Sequence, residues 1–241
     1  MKILVLSEMT IFSEIKKICE DRNIDVDEKI VITINPQANS CPPVGINFDV
    51  VVFQSKNAVM HSKNCWSDIK KYKPAIYCLG KYTSSLIKEN LNMDAIYPKD
   101  ESSSENLAKI IHSTVPKTEN SQKNYIVFCG EGGRNIISQM LIENKQSVYV
   151  SKVYNRKENQ NIKINKKDLD QNGINYIIVS SRLALKTFLK KTSSFIKGYK
   201  TIYVVPSKRV IHNIKDVEEA IIINNSNSAT NYIDRIINNE Q

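Results

Sequence analysis

No two of the five cysteines, at 19, 41, 65, 78 and 129, are spaced Cys-x-x-Cys, and their number is odd. A structural zinc site and a disulfide framework are therefore not expected, and the mostly apolar surroundings suit reduced core thiols. His61 and Cys65 have the spacing of neighbouring helical turns, but two ligands do not make a metal site. No stretch approaches the ~18 apolar residues needed to span a bilayer. The opening "MKILVLSEMT" is too short an apolar run for a signal peptide and meets Glu8 at once. These absences point to a soluble, reduced, cytoplasmic protein. Also missing are a carboxylate pair, a Ser–His–Asp set and an ordered Cys–His pair, so acid–base chemistry by a dedicated dyad is not expected.

What is present begins with charge. The 241 residues carry 34 Lys plus Arg against 25 Asp plus Glu, a net charge of +9. That balance favours an anionic partner: nucleic acid, membrane surface or a polyanionic small molecule. No long basic tail concentrates the excess. Aromatics interleaved with basic residues are sparse and no nucleic-acid motif occurs, so neither nucleic acid nor membrane is the expected partner.

The chain repeats itself. "DVVVFQSKNAVMHS" from Asp49 matches "NYIIVSSRLALKTF" from Asn175, an offset of 126 residues. At the same offset "AIYCLGKYTSSLI" from Ala75 falls on "TIYVVPSKRVIHN" from Thr201, and "DAIYPKDESSSENLAKII" from Asp94 on "AIIINNSNSATNYIDRII" from Ala220. At an offset of 122, "KILVLSEMTIFSEI" from Lys2 falls on "NYIVFCGEGGRNII" from Asn124. The halves are roughly 1–117 and 124–241, joined by the polar "PKTENSQK".

Each half alternates short apolar strands with amphipathic helices. Ile11, Ile15, Ile18 and Cys19 fall at helical spacing, with Thr10 placed as N-cap. Continuous runs such as "VVVF" and "YIIV" read as strands buried on both faces of a parallel sheet. The predicted fold is α/β, doubly wound, twice over. "EKIVITINPQA" and "QSVYVSKVYNRKE" alternate apolar with polar residues more than the rest and could pair as a two-stranded connector.

In doubly wound sheets ligands sit outside the strand C-termini, over helix N-termini. The glycine corner "GEGGRN" at 130–135 is neither G-x-G-x-x-G nor a P-loop. Arg134 is read as lying in the first turn of the following helix, where a cation opposes the helix dipole and suggests a nearby anion. Ser55, Thr83, Ser104, Ser180, Ser181 and Ser207 stand at strand ends, beside Lys56, Lys81, Arg182, Lys208 and Arg209. Singly they are ordinary N-caps; together they describe a rim built to hold a polyanion.

These pieces, in this order and spacing, resemble the uroporphyrinogen-III synthase family over almost the whole chain. They are "GEGGRNII", "VSKVYNRK", "FQSKNAV", "LGKYT", "SSENLA" after "YP", "VSSRLAL" and "SKRV". The resemblance implies two flavodoxin-like parallel-sheet domains joined by a two-strand connector: 1–34 with 165–241, and 46–149, with connector strands 35–45 and 150–164. It implies a cofactor-free lyase. The substrate would be hydroxymethylbilane, a linear tetrapyrrole with eight carboxylates, cyclised with loss of water and inversion of ring D. It implies a monomer, with transient hand-over from the upstream deaminase. Tyr154 would point into a cleft and assist departure of the hydroxyl. Ser55, Thr83, Ser104, Arg134, Ser180, Ser181, Ser207 and Arg209 would bind substrate carboxylates. Ser7 and Cys129 depart from the arginines frequent at the first strand ends, and Pro206 from a frequent glycine. The rival reading is a two-domain cytoplasmic module that binds an anion without chemistry.

Overall fold

The structure, a computed structural model, describes residues 1–6, 12–37, 41–42, 46–100, 102–114, 122–223 and 228–240. Ser7, Thr10, Ile11 and residues 116–121 of the connector lie outside the described residues. In chain order the first half holds β1 (Lys2–Leu6), α1 (Phe12–Asp21), β2 (Asp25–Lys29), β3 (Ile32–Pro36), β4 (Val50–Phe53), α2 (Lys56–Met60), α3 (Trp66–Tyr72), β5 (Ala75–Cys78), α4 (Lys81–Leu91) and α5 (Ser104–Thr114). The second holds β6 (Asn124–Gly130), α6 (Ile136–Glu143), β7 (Ser147–Glu158), β8 (Asn175–Val179), α7 (Arg182–Thr192), β9 (Thr201–Val205), α8 (Lys208–Ile211), β10 (Ala220–Ile222) and α9 (Ala229–Glu240). Short 3-10 turns lie at Lys63–Cys65, Lys166–Asp168 and Ile196–Gly198.

The chain forms two compact units, Met1–Thr33 with Lys157–Gln241, and Ile34–Arg156. The first unit carries a five-stranded sheet in the order β10-β9-β8-β1-β2, and its strand pairs are parallel. The second carries β3-β7-β6-β4-β5, parallel from β7 through β5. At its edge, bonds join Thr33 to Lys157, Asn35 to Asn155 and Gln37 to Val153. One number rises as the other falls, so β3 runs antiparallel to β7. Residues 35–36 thus close β3, and 150–158 belong to one twelve-residue strand that also pairs with β6.

The apolar runs are strands because both faces are covered. In the first sheet Leu4, Leu6, Ile177 and Val179 pack with Ala184, Leu185 and Phe188 of α7. The alternate residues Ile3, Val5, Tyr176 and Ile178 pack with Ile15 and Cys19 of α1 and Tyr232, Ile233 and Ile236 of α9. The second sheet repeats this: Val51, Phe53, Ile126 and Phe128 face one side, and Val50, Val52, Tyr125 and Val127 the other. A two-residue side-chain period between two helical layers explains why no polar stripe breaks these runs.

The internal repeat is structural. At 126 residues β4 falls on β8, α2 on α7, β5 on β9 and α5 on α9; at 122, β1 falls on β6 and α1 on α6. After α1 the chain turns through Asn23 at φ 55°, and after α6 through Lys145, its equivalent, at φ 56°. Each half therefore follows its first helix with a left-handed residue at the equivalent position.

The expectation that all five cysteines are reduced fails. Cys41 and Cys65 form a disulfide, with Cα atoms 5.6 Å apart and 24 residues apart in sequence. Nothing in their spacing signals it, because folding rather than sequence proximity brings them within bridging distance. Nor do His61 and Cys65 share a helix: α2 stops at Met60, His61 caps it, and Cys65 closes the 3-10 turn. Cys19, Cys78 and Cys129 are free and buried, and burial raises the Cys19 and Cys78 thiols to about 11.

Candidate functional site

Tyr154 owes its place to an irregularity in β7. Cys129 pairs with Lys152, but Gly130 pairs with Tyr154, so β7 carries one extra residue there. Such a bulge re-aims the side chains that follow. Val153 and Tyr154 are consecutive, yet both are buried. Beyond the bulge, Arg156 lies two residues on and shares the Tyr154 side of the strand.

The glycine corner is explained by this ring. A Cβ built on Gly130 would lie 2.5 Å from Tyr154 Cζ. Gly132 turns the chain at φ 71°. The corner therefore makes room for a tyrosine and reverses the chain. Arg134 is not in the first turn of α6, which begins at Ile136 behind Asn135. Its guanidinium forms a two-pronged pair with Glu105 in the first turn of α5, one prong at 3.2 Å. The anion that Arg134 signalled is a carboxylate of the protein itself.

Around Tyr154 the contacts are polar and directed. Its hydroxyl lies 3.0 Å from Ser55 Oγ, and Arg156 Nη2 donates to it at 2.9 Å. The Arg156 guanidinium also sits 5.0 Å from the ring centroid, a cation–π contact. Ser55 is the N-cap of α2: its Oγ accepts the Ala58 N–H at 3.0 Å. The His61 ring lies 5.9 Å from that of Tyr154, and burial and then Lys63 hold its pKa below the ordinary value, favouring neutral imidazole. The Tyr154 carbonyl accepts from Glu131 N–H at 2.8 Å, and Glu131 in turn accepts from Gln37 at 3.0 Å. Tyr154 is only 2% exposed and packs in the core of its unit, whereas Ser55 is half-buried. An open side chain was the expectation; a covered ring behind a serine is the finding.

The remaining candidates divide between the units. Thr83, in the first turn of α4, and Ser104, at the start of α5, lie in the second unit and are buried. In the first unit Ser181 caps α7 and accepts the Ala184 N–H at 3.3 Å, as its repeat partner Ser55 does on α2. Ser180 is the exposed residue before it. Ser207 precedes α8 and makes no capping bond; Arg209 lies within that four-residue helix. Arg182 is turned onto backbone, donating to the carbonyls of His212 and, at 3.4 Å, Arg209. Arg156, Glu105 and the His61 contact were missed from the sequence. The one signal for Arg156 was its i+2 spacing from a strand tyrosine.

A concavity of about 1100 Å³ on the first unit lies elsewhere. It is walled by the second half of α7, the start of β9 and residues 213–216 and 218–219, and none of the candidates lines it. Among the described residues no cluster of three or more potential metal ligands occurs, and no helix is long and apolar enough to cross a membrane.

Fold and site together define a mixed α/β protein with two mainly parallel sheets and a tyrosine–serine–arginine cluster at the strand ends of one of them. The model of the family "Uroporphyrinogen-III synthase HemD" matches residues 13–217, and the chain belongs to that family of cyclising lyases of tetrapyrrole biosynthesis. Its fold is similar to that of uroporphyrinogen-III synthetase from Helicobacter pylori, with 11% identity, 99% of each chain covered and a TM-score of 0.61. It is similar also to a mutant uroporphyrinogen III synthase from Thermus thermophilus, with 8% identity, 99% and 98% covered and a TM-score of 0.60. No curated protein sequence matches the chain.

Proposed function

We propose that this protein closes hydroxymethylbilane to uroporphyrinogen III, losing the terminal hydroxyl as water and inverting ring D, with no cofactor. The family match over residues 13–217 carries this reading. The site is consistent with it. Hydroxyls, backbone N–H groups and an arginine are suited to holding a polyanion and assisting a readily lost hydroxyl, a task of positioning more than of strong acid–base catalysis. In this reading Tyr154 supports departure of the hydroxyl. Ser55, Thr83, Ser104 and Arg134 of the second unit, and Ser180, Ser181, Ser207 and Arg209 of the first, bind substrate carboxylates. Arg134 does so while paired to Glu105. Each unit is assigned a flavodoxin-like architecture, because the order β2-β1-β8-β9-β10 reads 2-1-3-4-5 in the first. The domains are proposed as 1–34 with 165–241, and 46–149, joined by connector strands 35–45 and 150–164. The protein is proposed to act as a cytoplasmic monomer that takes its unstable substrate from the upstream deaminase.

The test is the product isomer. Hydroxymethylbilane left to itself closes without inverting ring D, giving type I. Coupled to the deaminase, this protein is expected to yield mainly type III. Type I alone would reject the enzyme and leave a module that binds an anion without chemistry.

A further inference from the structure

Tyr154 is covered, and its hydroxyl already has two neighbours. Arginine has only N–H donors and no lone pair, so Arg156 can only donate to the phenolic oxygen. Ser55 Oγ already accepts the Ala58 N–H. Either hydroxyl is able to donate across the 3.0 Å between Tyr154 Oη and Ser55 Oγ; the orientation that gives the covered tyrosine proton a partner points it at the second lone pair of Ser55 Oγ. The serine's own proton is then turned outward, from a side chain that is half-buried where the tyrosine is almost wholly covered.

We infer that Arg156, Tyr154 and Ser55 form a directed hydrogen-bond relay, in which Ser55, not Tyr154, touches the departing hydroxyl of the substrate. Arg156 is the positioning residue and sets the direction. This rests on the cyclisation reading above and adds a route to it. As the carbon–oxygen bond breaks, its electron pair leaves with oxygen, and the pyrrole nitrogen's lone pair fills the carbon. The oxygen takes the Ser55 proton and departs as water. Ser55 is refilled from Tyr154, and the negative charge left on the phenolic oxygen faces the Arg156 guanidinium. When ring D closes and loses its proton, that proton returns to the relay, so the sum is loss of one water.

The relay makes a claim about non-additivity. Groups acting as one unit lose their effect together, whereas independent groups multiply. Tyr154→Phe, Ser55→Ala and the double variant are compared by kcat for type III formation. Within the relay the double variant lies within about threefold of the slower single variant. A double variant slowed by the product of the two single effects overturns it. Ser55→Ala also removes a helix cap, so Ser55→Thr is included: it keeps cap and hydroxyl and is expected to restore most of kcat. Failure of Ser55→Thr to restore activity in a protein that melts like wild type counts against Ser55 as the contact. Arg156→Met removes the donor and keeps length. It is expected to lower kcat about 10- to 100-fold with KM little changed, with partial rescue by added guanidinium. A change in KM alone, or no rescue in a folded protein, makes Arg156 a carboxylate ligand and overturns its positioning role. Wild-type type III formation is measured alongside, so a failure of the cyclisation reading is seen separately.

Discussion

Gly130 and Tyr154 show how a single residue can be fixed by its neighbour. The ring occupies the space a Gly130 side chain would need. Gly130→Ala should therefore push the ring or the strand aside, costing about 1–3 kcal/mol of stability as overpacking does, and lowering type III formation as well; urea denaturation and the product assay read both. Tyr154→Phe keeps the ring and deletes the oxygen. Stability should fall by only about 1 kcal/mol, since one hydrogen-bonded group is lost while its partners stay within reach of water. The rate should fall about 30- to 1000-fold, equivalent to roughly 2–4 kcal/mol of transition-state stabilisation, with a larger share of type I product. Unchanged type III formation would remove the hydroxyl from the mechanism.

Among the elements, the segment from Cys41 to Cys65 stands out. It contains β4, the Ser55 cap and His61, and the disulfide closes it into a loop. Loop-closure entropy for a segment of this length is worth roughly 3 kcal/mol. Reduction, or Cys65→Ser, is expected to lower the unfolding free energy by about that amount and to raise hydrogen exchange most in β4 and α2. Equal exchange in oxidised and reduced protein would contradict this. Cys65 is almost fully buried, so reduction should need partial opening and proceed slowly in native conditions. The helix starts also carry energy. Ser181→Ala leaves the Ala184 N–H without its side-chain acceptor and should cost about 1 kcal/mol in thermal or urea unfolding.

At the scale of the whole molecule, acid stability follows from groups whose folded and unfolded pKa values differ. Burial opposes ionisation of Asp168, but the Asn165 N–H and the Lys29 ammonium at 2.9 Å outweigh it and hold its pKa below the ordinary 3.8. A carboxyl depressed in the folded state contributes stability above its unfolded pKa and loses it as pH falls through the folded one. His61, depressed by burial and Lys63, binds a proton less readily in the fold than when unfolded. Its contribution is complete above the ordinary 6.5 and drains as pH falls below it. Stability should therefore decline in two windows, one below 6.5 and one below 3.8. His61→Gln should remove the first, and Asp168→Asn should shrink the second, to which the depressed Asp170 also contributes, read as unfolding free energy against pH.

The sequence by itself determined the layers, the repeat and the family. Apolar runs buried on both faces leave few alternatives to parallel strands between helices, and the 126-residue offset laid β4 on β8 and β5 on β9 because each strand's neighbours are local in pattern. The serine caps at 55 and 181 were legible for the same reason: a cap bonds residues three positions away. Only the tertiary structure decided what depends on distant segments. It joined Cys41 to Cys65, gave Arg134 to Glu105, and used a bulge opposite Gly130 to bury Tyr154 behind Ser55 and under Arg156. Those partners are set by strand register and loop path. A one-residue slip in β7 sends every following side chain to the other face, and no local pattern in "SKVYNRK" records where the slip occurs.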